Sequence, residues 1–572
     1  MTAGLPEKTP ASPTDRVAAA YRRIAEVDRP EVWITLRPEA ELTAEAAALE
    51  QRIAAGAQAP LAGLLVAVKD NVDVAGLPTT AACPEFGYPA TETATAVARL
   101  VEAGALVLGK TNLDQFATGL VGTRSPYGAV RNALDPALIS GGSSSGSAVA
   151  VALGIADIAI GTDTAGSGRV PAALQGIVGI KASLGVIPAH GVVPACADYD
   201  AVTVFAADLA LAVEAAATMA GPESRDSRGR AWPADVRLAA AAQPTVAIPR
   251  PADLTPLSPA YRIAFADTVA ALRDQGVEVR EIDISPLLDA ARLLYDGAIV
   301  AERYAAVGAF VDKGADGLDP TVAGIISAAG QLDASSFAAD LDTLATAKAA
   351  AAELLTGYDG LLLPTTTEHP SIAEVTADPL TVNRRLGTYT NFCNLLDLAA
   401  VAVPGTPTAD GLPFGVMVVV PTFADQLAVD LAARITGTPA PLLVDTGVPL
   451  AVFGAHLRGQ PLHWQLEQLG ARFAGEITTS DAYRLTALDT VPPKPGLVRH
   501  GEGLGAPIRG ELFLVSPGGL GRFLAELPPP MALTSIELAD GRSVVGFACT
   551  YDAAITATDI TEHGGWVAYL HR

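Results

Sequence analysis

Ser140-Gly141-Gly142-Ser143-Ser144-Ser145-Gly146-Ser147 is followed, one helical stretch later, by Gly161-Thr162-Asp163-Thr164-Ala165-Gly166-Ser167-Gly168-Arg169. The two stretches decide how the rest of the chain is read. The first opens the helical pattern Ser147–Ile160, which ends in apolar residues. A phosphate cradle at a helix N-terminus is one reading, but the G-K-[ST] that brings a cation to the phosphates is missing. A flexible linker is another, yet the stretch lies between apolar elements rather than between domains. Gly142-Ser143-Ser144-Ser145-Gly146 matches G-x-S-x-G and keeps a hydrolase elbow open, although the pattern arises readily in any Ser/Gly-rich loop. In the second stretch two glycines flank Ser167, which leaves its hydroxyl approachable. The backbone N–H groups of Thr164, Ala165, Gly166 and Ser167 can converge on a developing oxyanion. Both features suit a serine nucleophile in acyl transfer.

A serine nucleophile needs a base. His190, in the turn-like Pro188-Ala189-His190-Gly191, is the only histidine before His369. A Ser-His-Asp triad therefore rests on it or on a residue far downstream. Lysine is scarce, with 7 in the chain against 31 arginines, so one in an apolar setting stands out. Lys69 ends the run Leu64-Leu65-Val66-Ala67-Val68. A lysine there loses hydration, its pKa falls, and the neutral amine can accept a proton. Lys110 and Lys181, each after a strand-like run, are rivals. A surface residue that snorkels is the ordinary explanation for a strand-end lysine.

Around these loops, residues 15–56 read as helices, with apolar spacing through Arg16–Val27 and Leu42–Ala54. Leu61–Val68, Ala105–Leu108, Gly176–Ile180 and Val192–Pro194 read as strands. Helix 93–104 precedes the second of these, and helix 259–275 precedes a strand at 277–282. The alternation predicts an α/β architecture, a mixed central sheet covered by helices. Thr436–Gly447, rich in Pro, Gly and Thr, reads as a linker. Beyond it strands shorten, and five of the seven histidines follow. The expected domains are 1–445 and 446–572, the second small and α+β.

With 572 residues, half of them hydrophobic, the chain can bury more than one core. A net charge of −24 disfavours nucleic acid and anionic lipid as partners. Cys83, Cys196, Cys393 and Cys549 are far apart and form no C-x-x-C pair, so neither a disulfide framework nor a thiolate metal site is expected. The N-terminus lacks a basic segment followed by an apolar run, and no apolar stretch reaches the ~18 residues that span a bilayer. A cytoplasmic location fits.

Taken together, Val68-Lys69-Asp70, Gly141-Gly142-Ser143-Ser144-Ser145-Gly146 and Asp163-Thr164-Ala165-Gly166-Ser167-Gly168-Arg169-Val170-Pro171 resemble the amidase signature family over roughly residues 15–440. The interval from Ser143 to Ser167 is typical of that family. The resemblance implies a triad in which Lys69 deprotonates Ser143, a serine preceded by a cis peptide bond, and Ser143 deprotonates the nucleophile Ser167. Ser143 then returns a proton to the leaving nitrogen, so no histidine is needed.

Within the family, Val68–Pro84 and Gly109–Gly128 resemble allophanate hydrolases. That likeness implies hydrolysis of allophanate, or urea-1-carboxylate, to ammonia and carbon dioxide without metal or cofactor. It also implies coupling to a urea carboxylase, and a homodimer. Leu293–Tyr304 resembles the family's carboxylate-binding helix. Tyr295 and Arg303, eight residues apart, are expected on one side of it, and Gly119 resembles a position whose backbone meets substrate. The motifs Gly454-Ala455-His456-Leu457, Tyr483-Arg484-Leu485, Pro492–Leu497, Gly510-Glu511 and Gly521–Leu524 resemble the C-terminal domain of those enzymes. That domain has a γ-glutamyl-cyclotransferase-like fold implicated in decarboxylating N-carboxycarbamate. A proton donor is wanted there, and His456 is expected to titrate near neutrality, with His500 as its rival. The alternatives are a biuret or general amide hydrolase of the same triad, and a non-catalytic scaffold.

Overall fold

The computed structural model describes residues 12–571. They gather into two compact units. One holds the chain up to Ala231 together with Thr245–Leu443, and the other holds Trp232–Pro244 with the chain from Val444 onward. A single cut near 445 lies beside the Leu443–Val444 crossing but makes no provision for Trp232–Pro244. That segment is tied to residues far along the chain, Leu238 N–H to the Gly470 carbonyl (2.8 Å) and Gly518 N–H to the Ala234 carbonyl (2.6 Å), so nothing local marks it.

The first unit is built on an eleven-stranded sheet. From edge to edge its strands are Trp33–Leu36, Leu106–Thr111, Leu65–Lys69, Ile158–Asp163, Ala201–Ala206, Val178–Lys181, Ala399–Pro404, Gly415–Val420, Gly360–Pro364, Thr245–Pro249 and Glu278–Ile282. Leu65–Lys69 runs parallel to both its neighbours, and Thr245–Pro249 to both of its own. The other pairings are antiparallel, so the sheet is mixed as expected. Every residue of Leu65–Lys69, Leu106–Thr111, Ile158–Asp163 and Ala201–Ala206 is buried. Burial of both faces is what a covered α/β sheet demands and explains their unbroken apolar runs. Each Val, Leu or Ile so removed from water contributes about 1.5–3 kcal/mol.

Two local expectations are corrected. The stretch 15–56 is not helical throughout: helices Pro13–Val27 and Glu39–Ala54 flank a strand, Trp33–Leu36, paired antiparallel with Leu106–Thr111. Pro30 and Pro38 interrupt the helical pattern on either side of it. Val192–Pro194 is not a strand; it makes only an isolated bridge from Val192 to Val72, and Pro194 has no N–H to extend a ladder.

The second unit carries a five-stranded sheet, in the order Arg472–Thr478, Arg509–Val515, Val448–Val452, Ser543–Cys549 and Met531–Glu537. A three-stranded sheet, Lys494–Arg499, Tyr483–Leu488 and Thr558–Asp559, accompanies it with four short helices. Its core includes Val452, Phe453, Tyr483, Phe513, Phe547 and Trp566. The linker begins where Gly437 (φ +67°) closes the helix Asp425–Thr436 in the left-handed conformation.

Candidate active site

Parallel pairing of Leu65–Lys69 with Ile158–Asp163 brings the carboxyl ends of two strands together, the side on which ligand sites of open α/β sheets lie. Lys69 is the last residue of its strand and is wholly buried. Its Nζ lies 2.8 Å from Ser143 Oγ and 2.8 Å from Thr162 Oγ1, and donates a longer bond (3.4 Å) to the Thr162 carbonyl. The Gly142–Ser143 peptide is cis, and Ser145–Ala152 forms the helix just beyond. Burial draws the Lys69 pKa down to about 7. The carboxylates of Asp114, Asp200 and Asp163 work against the drop, and Arg303 adds to it. No carboxylate pairs with Lys69 among the described residues, so its partners are neutral oxygens.

The rival lysines are occupied elsewhere. Lys110, also buried, forms an ion pair with Asp70 (3.1 Å) and bonds Thr79 Oγ1 and the Pro78 carbonyl. Lys181 donates to the carbonyls of Leu398 (2.7 Å) and Ala182 (3.2 Å). His190 is half-buried in its turn, and its carbonyl accepts from Thr95 N–H. Neither its ring nor that of His369 bonds Lys69, Ser143 or Ser167; His369 Nε2 instead meets the Ile139 carbonyl at 3.0 Å.

Ser167 is buried, and its Oγ donates to the Gly119 carbonyl at 3.5 Å. Among the described residues no hydrogen bond joins it directly to Ser143. The loop before it is held from within. Asp163 binds Arg169 through two bonds of 2.9 Å and also accepts from Gly166 N–H (2.8 Å) and Gly168 N–H (3.0 Å). A bidentate pair of this kind fixes geometry as well as charge. Arg169 holds the Asp163 carboxyl below its ordinary range although burial opposes this. Asn394 clasps the same loop, accepting from Arg169 and donating to the Asp163 carbonyl (2.6 Å). Gly166, at φ +131°, would place a Cβ 2.4 Å from Thr390 Oγ1. Of the four N–H groups expected to face an oxyanion, that of Gly166 is therefore already taken by Asp163.

Arg303 is buried in the helix Ala301–Val311. Its Nη1 donates to Thr118 Oγ1 (2.8 Å) and its Nη2 to Tyr295 Oη (3.3 Å), and the guanidinium lies 5.5 Å from the centre of the Tyr295 ring. Its Nε has no partner among the described residues. Tyr295 and Arg303 do meet, but not as two turns of one helix. The helix Ser285–Arg292 ends before Tyr295, Gly297 is extended (φ −101°, ψ −173°), and a 3-10 turn at Ala298–Val300 leads into the next helix. A Cβ at Gly297 would lie 2.8 Å from the Leu293 carbonyl oxygen, so a larger residue would crowd the backbone at the break. Thr118 and Arg303 connect the Gly119 segment to this tyrosine–arginine pair.

In the second unit His456 is buried. Its Nε2 lies 2.8 Å from Gln465 Oε1, and its ring stacks on Phe547 at 4.6 Å. Burial pulls its pKa down to about 4, which corrects the expectation of titration near neutrality: at pH 7 the ring is neutral. A space of about 20 Å³ adjoins it, also lined by Lys494. His500 is exposed. A larger cavity of about 640 Å³ in this unit is lined among others by Arg458, Arg509, Glu511 and Trp566, and by none of Lys69, Ser143 and Ser167. Chemistry rather than cavity size locates the candidate site. No helix among the described residues is long and apolar enough to cross a membrane, and no group of three metal-ligating side chains is present among them.

Sequence reasoning missed Thr162, Asn394 and Thr390. Thr162 lies inside the Gly161–Arg169 stretch, but which of its atoms face Lys69 depends on strand register. Asn394 and Thr390 come from a helix and turn far along the chain.

Comparisons with known proteins identify the family. The Amidase family model matches residues 15–429, and the allophanate hydrolase C-terminal domain model matches residues 448–571. The urea amidolyase of Lachancea kluyveri is 41% identical across 94% of this chain and 31% of its own length. That of Saccharomyces cerevisiae is 42% identical across 89% of this chain and 30% of its own. The chain thus spans about a third of the length of these two relatives. The solved allophanate hydrolase of Kluyveromyces lactis superposes with a TM-score of 0.85 at 38% identity, covering 98% of this chain and 97% of that one. With the Lys69–Ser143 contact, the buried Ser167 loop and a family match over most of its length, the chain belongs to the amidase family.

Proposed function

We propose that this chain hydrolyses allophanate, releasing ammonia, by a Ser167–Ser143–Lys69 relay. The observation that carries the reading is the buried Lys69 amine, 2.8 Å from Ser143 Oγ with a pKa of about 7 and no carboxylate partner among the described residues. A neutral amine takes the Ser143 proton, and Ser143 takes that of Ser167 as its oxygen attacks the ureido carbonyl carbon. The N–H groups of Thr164, Ala165 and Ser167, with Gly166 committed to Asp163, receive the developing oxyanion. Ser143 passes a proton to the departing nitrogen. Ammonia leaves, and water cleaves the Ser167 ester to give N-carboxycarbamate. Arg303, with its unpartnered Nε, and Tyr295 hold the substrate carboxylate, and the Gly119 carbonyl lies beside the nucleophile. No metal or cofactor enters this scheme.

Because allophanate is urea carrying a carboxylate on nitrogen, carboxylation of urea supplies it directly, and hydrolysis of biuret is the other route to it. The resemblance to allophanate hydrolases supports the first route, a homodimer and a cytoplasmic setting. The second unit takes the decarboxylation of N-carboxycarbamate in this reading. His456 would serve there as a neutral hydrogen-bonding or basic group, not as an imidazolium donor.

The test is ammonia release from allophanate against urea, biuret and malonamate. Preference for allophanate is expected, and Arg303→Ala should cost roughly 2–5 kcal/mol in kcat/KM on it. Faster turnover of biuret or of neutral amides would instead mark a general amide hydrolase.

A further inference from the structure

The segment Asp114–Gly122 carries the Gly119 carbonyl to Ser167 in a conformation its sequence does not favour. Phe116 (φ +49°) and Ala117 (φ +53°) both lie in the left-handed region without being glycine. Such residues persist only where the surroundings over-determine them. The ends of the segment are pinned: Gln115 Nε2 donates to the carbonyls of Ala82 and Gly317 (2.8 Å each), and Asp114 accepts from Val121 N–H (3.1 Å) and Gly122 N–H (3.0 Å). Its middle, Thr118–Leu120, is held by two residues that have no part in the relay. Arg124 Nη1 donates to the Thr118 carbonyl (3.0 Å), and Leu120 N–H donates to Asn383 Oδ1 (2.7 Å). Arg124 Nη2 reaches the Pro379 carbonyl (2.7 Å), just ahead of the helix Thr381–Leu386 that carries Asn383.

Arg124 is 3% exposed and Asn383 9%. The Arg124 guanidinium forms no ion pair among the described residues, and its Nε has no partner there. Burying a guanidinium that binds only main-chain carbonyls is unfavourable in itself. What it supplies is geometry, since a rigid planar fork fixes two carbonyls of distant segments relative to each other, which a lysine cannot do. Thr118 is the junction: its carbonyl takes Arg124, while its hydroxyl takes Arg303 at 2.8 Å.

We propose that Arg124 and Asn383 are positioning residues, a clamp that sets both the Gly119 carbonyl against Ser167 and the Arg303 head group against the substrate carboxylate. The inference rests on the functional reading above for its substrate. Loosening the clamp misplaces the carboxylate-binding cation as well as the nucleophile's neighbour, so it should weaken binding as well as turnover. A merely structural role would reduce the fraction of active protein and lower kcat with KM unchanged.

The experiment measures steady-state ammonia release from allophanate by the full chain and by Arg124→Met, Arg124→Lys and Asn383→Ala, with thermal unfolding of each. KM is expected to rise about tenfold or more in Arg124→Met with a fall in kcat, Arg124→Lys to be little better, and Asn383→Ala to follow in the same direction with a smaller change. An unchanged KM in folded Arg124→Met and Asn383→Ala overturns the clamp, whatever happens to kcat. Should Arg124→Met fail to fold, Asn383→Ala, which deletes a single hydrogen bond, decides by the same criterion. Wild-type turnover tests the functional reading on its own, and the ratio of variant to wild-type KM tests the clamp.

Discussion

Lys69 and Lys110 are two wholly buried lysines on neighbouring parallel strands, in a register that sets Val68 opposite Lys110. Burial lowers the pKa of both. They differ in company: Lys110 meets Asp70 at 3.1 Å, while Lys69 meets, among the described residues, only the oxygens of Ser143 and Thr162. Asp70 follows Lys69 directly in the chain yet serves the neighbouring strand's lysine, because successive side chains along an extended backbone point to opposite faces. A buried lysine becomes a base only where its counter-ion is directed elsewhere. With one, it is a structural cross-link.

The sharpest way to break this contrast is to remove each amine. Lys69→Met should lower kcat for ammonia release by about 10²- to 10⁴-fold, the usual worth of a proton-transfer group. Lys69→Arg should fare no better, since guanidinium keeps its proton; an active arginine variant in rapid-quench or steady-state assays would remove Lys69 from the base role. Lys110→Met should do the converse. It strands the buried Asp70 carboxylate and should cost about 3–5 kcal/mol of stability in denaturant titrations, while the folded fraction keeps a near wild-type kcat.

A subtler contrast lies in pH. Between about 7 and the unfolded value of 10.5, Lys69 is protonated in the unfolded chain but not in the folded one. The unfolded state then binds one more proton, so this residue makes stability rise with pH across that window, by about 1.4 kcal/mol per unit. Its full penalty applies below pH 7 and fades toward 10.5. Subtracting the stability of Lys69→Met from that of wild type at each pH isolates the slope, and a flat difference from pH 7.5 to 10 would mean that Lys69 keeps its proton. The smallest effect is expected at His190. His190→Ala should change kcat less than about twofold, and an inactive variant would restore a histidine-dependent scheme.

Much of the site is legible in the sequence because its chemistry is local. The two Ser/Gly loops and the strand-end Lys69 can each be read within a dozen residues. The mixed sheet is legible in the same way, from apolar runs with both faces buried. What escapes depends on contacts between distant segments. Asn394 clasping Asp163, Asn383 holding Leu120 and the packing of Trp232–Pro244 with the second unit leave no periodicity to detect. Tyr295 and Arg303 pair as expected but on a different geometry, because helical spacing continues through Gly297 in the sequence while the backbone does not. His456 departs from expectation because its ring packs against Phe523 and Phe547, and burial rather than local sequence sets its pKa.

The central claim is that a neutral Lys69 drives the relay, and the pH dependence of kcat/KM for allophanate tests it most directly, since that ratio reports the free enzyme's ionisations. Glu302 beside Arg303 is a second group with a pKa near 7, raised by burial, so the profile must be measured for Glu302→Gln as well. With Asp114, Asp163 and Asp200 opposing the drop at Lys69 and Arg303 favouring it, the account predicts activity falling tenfold per pH unit below an acid limb near 7, present in both wild type and Glu302→Gln. A profile flat from pH 5.5 to 8, or a limb that vanishes with Glu302→Gln, would contradict it.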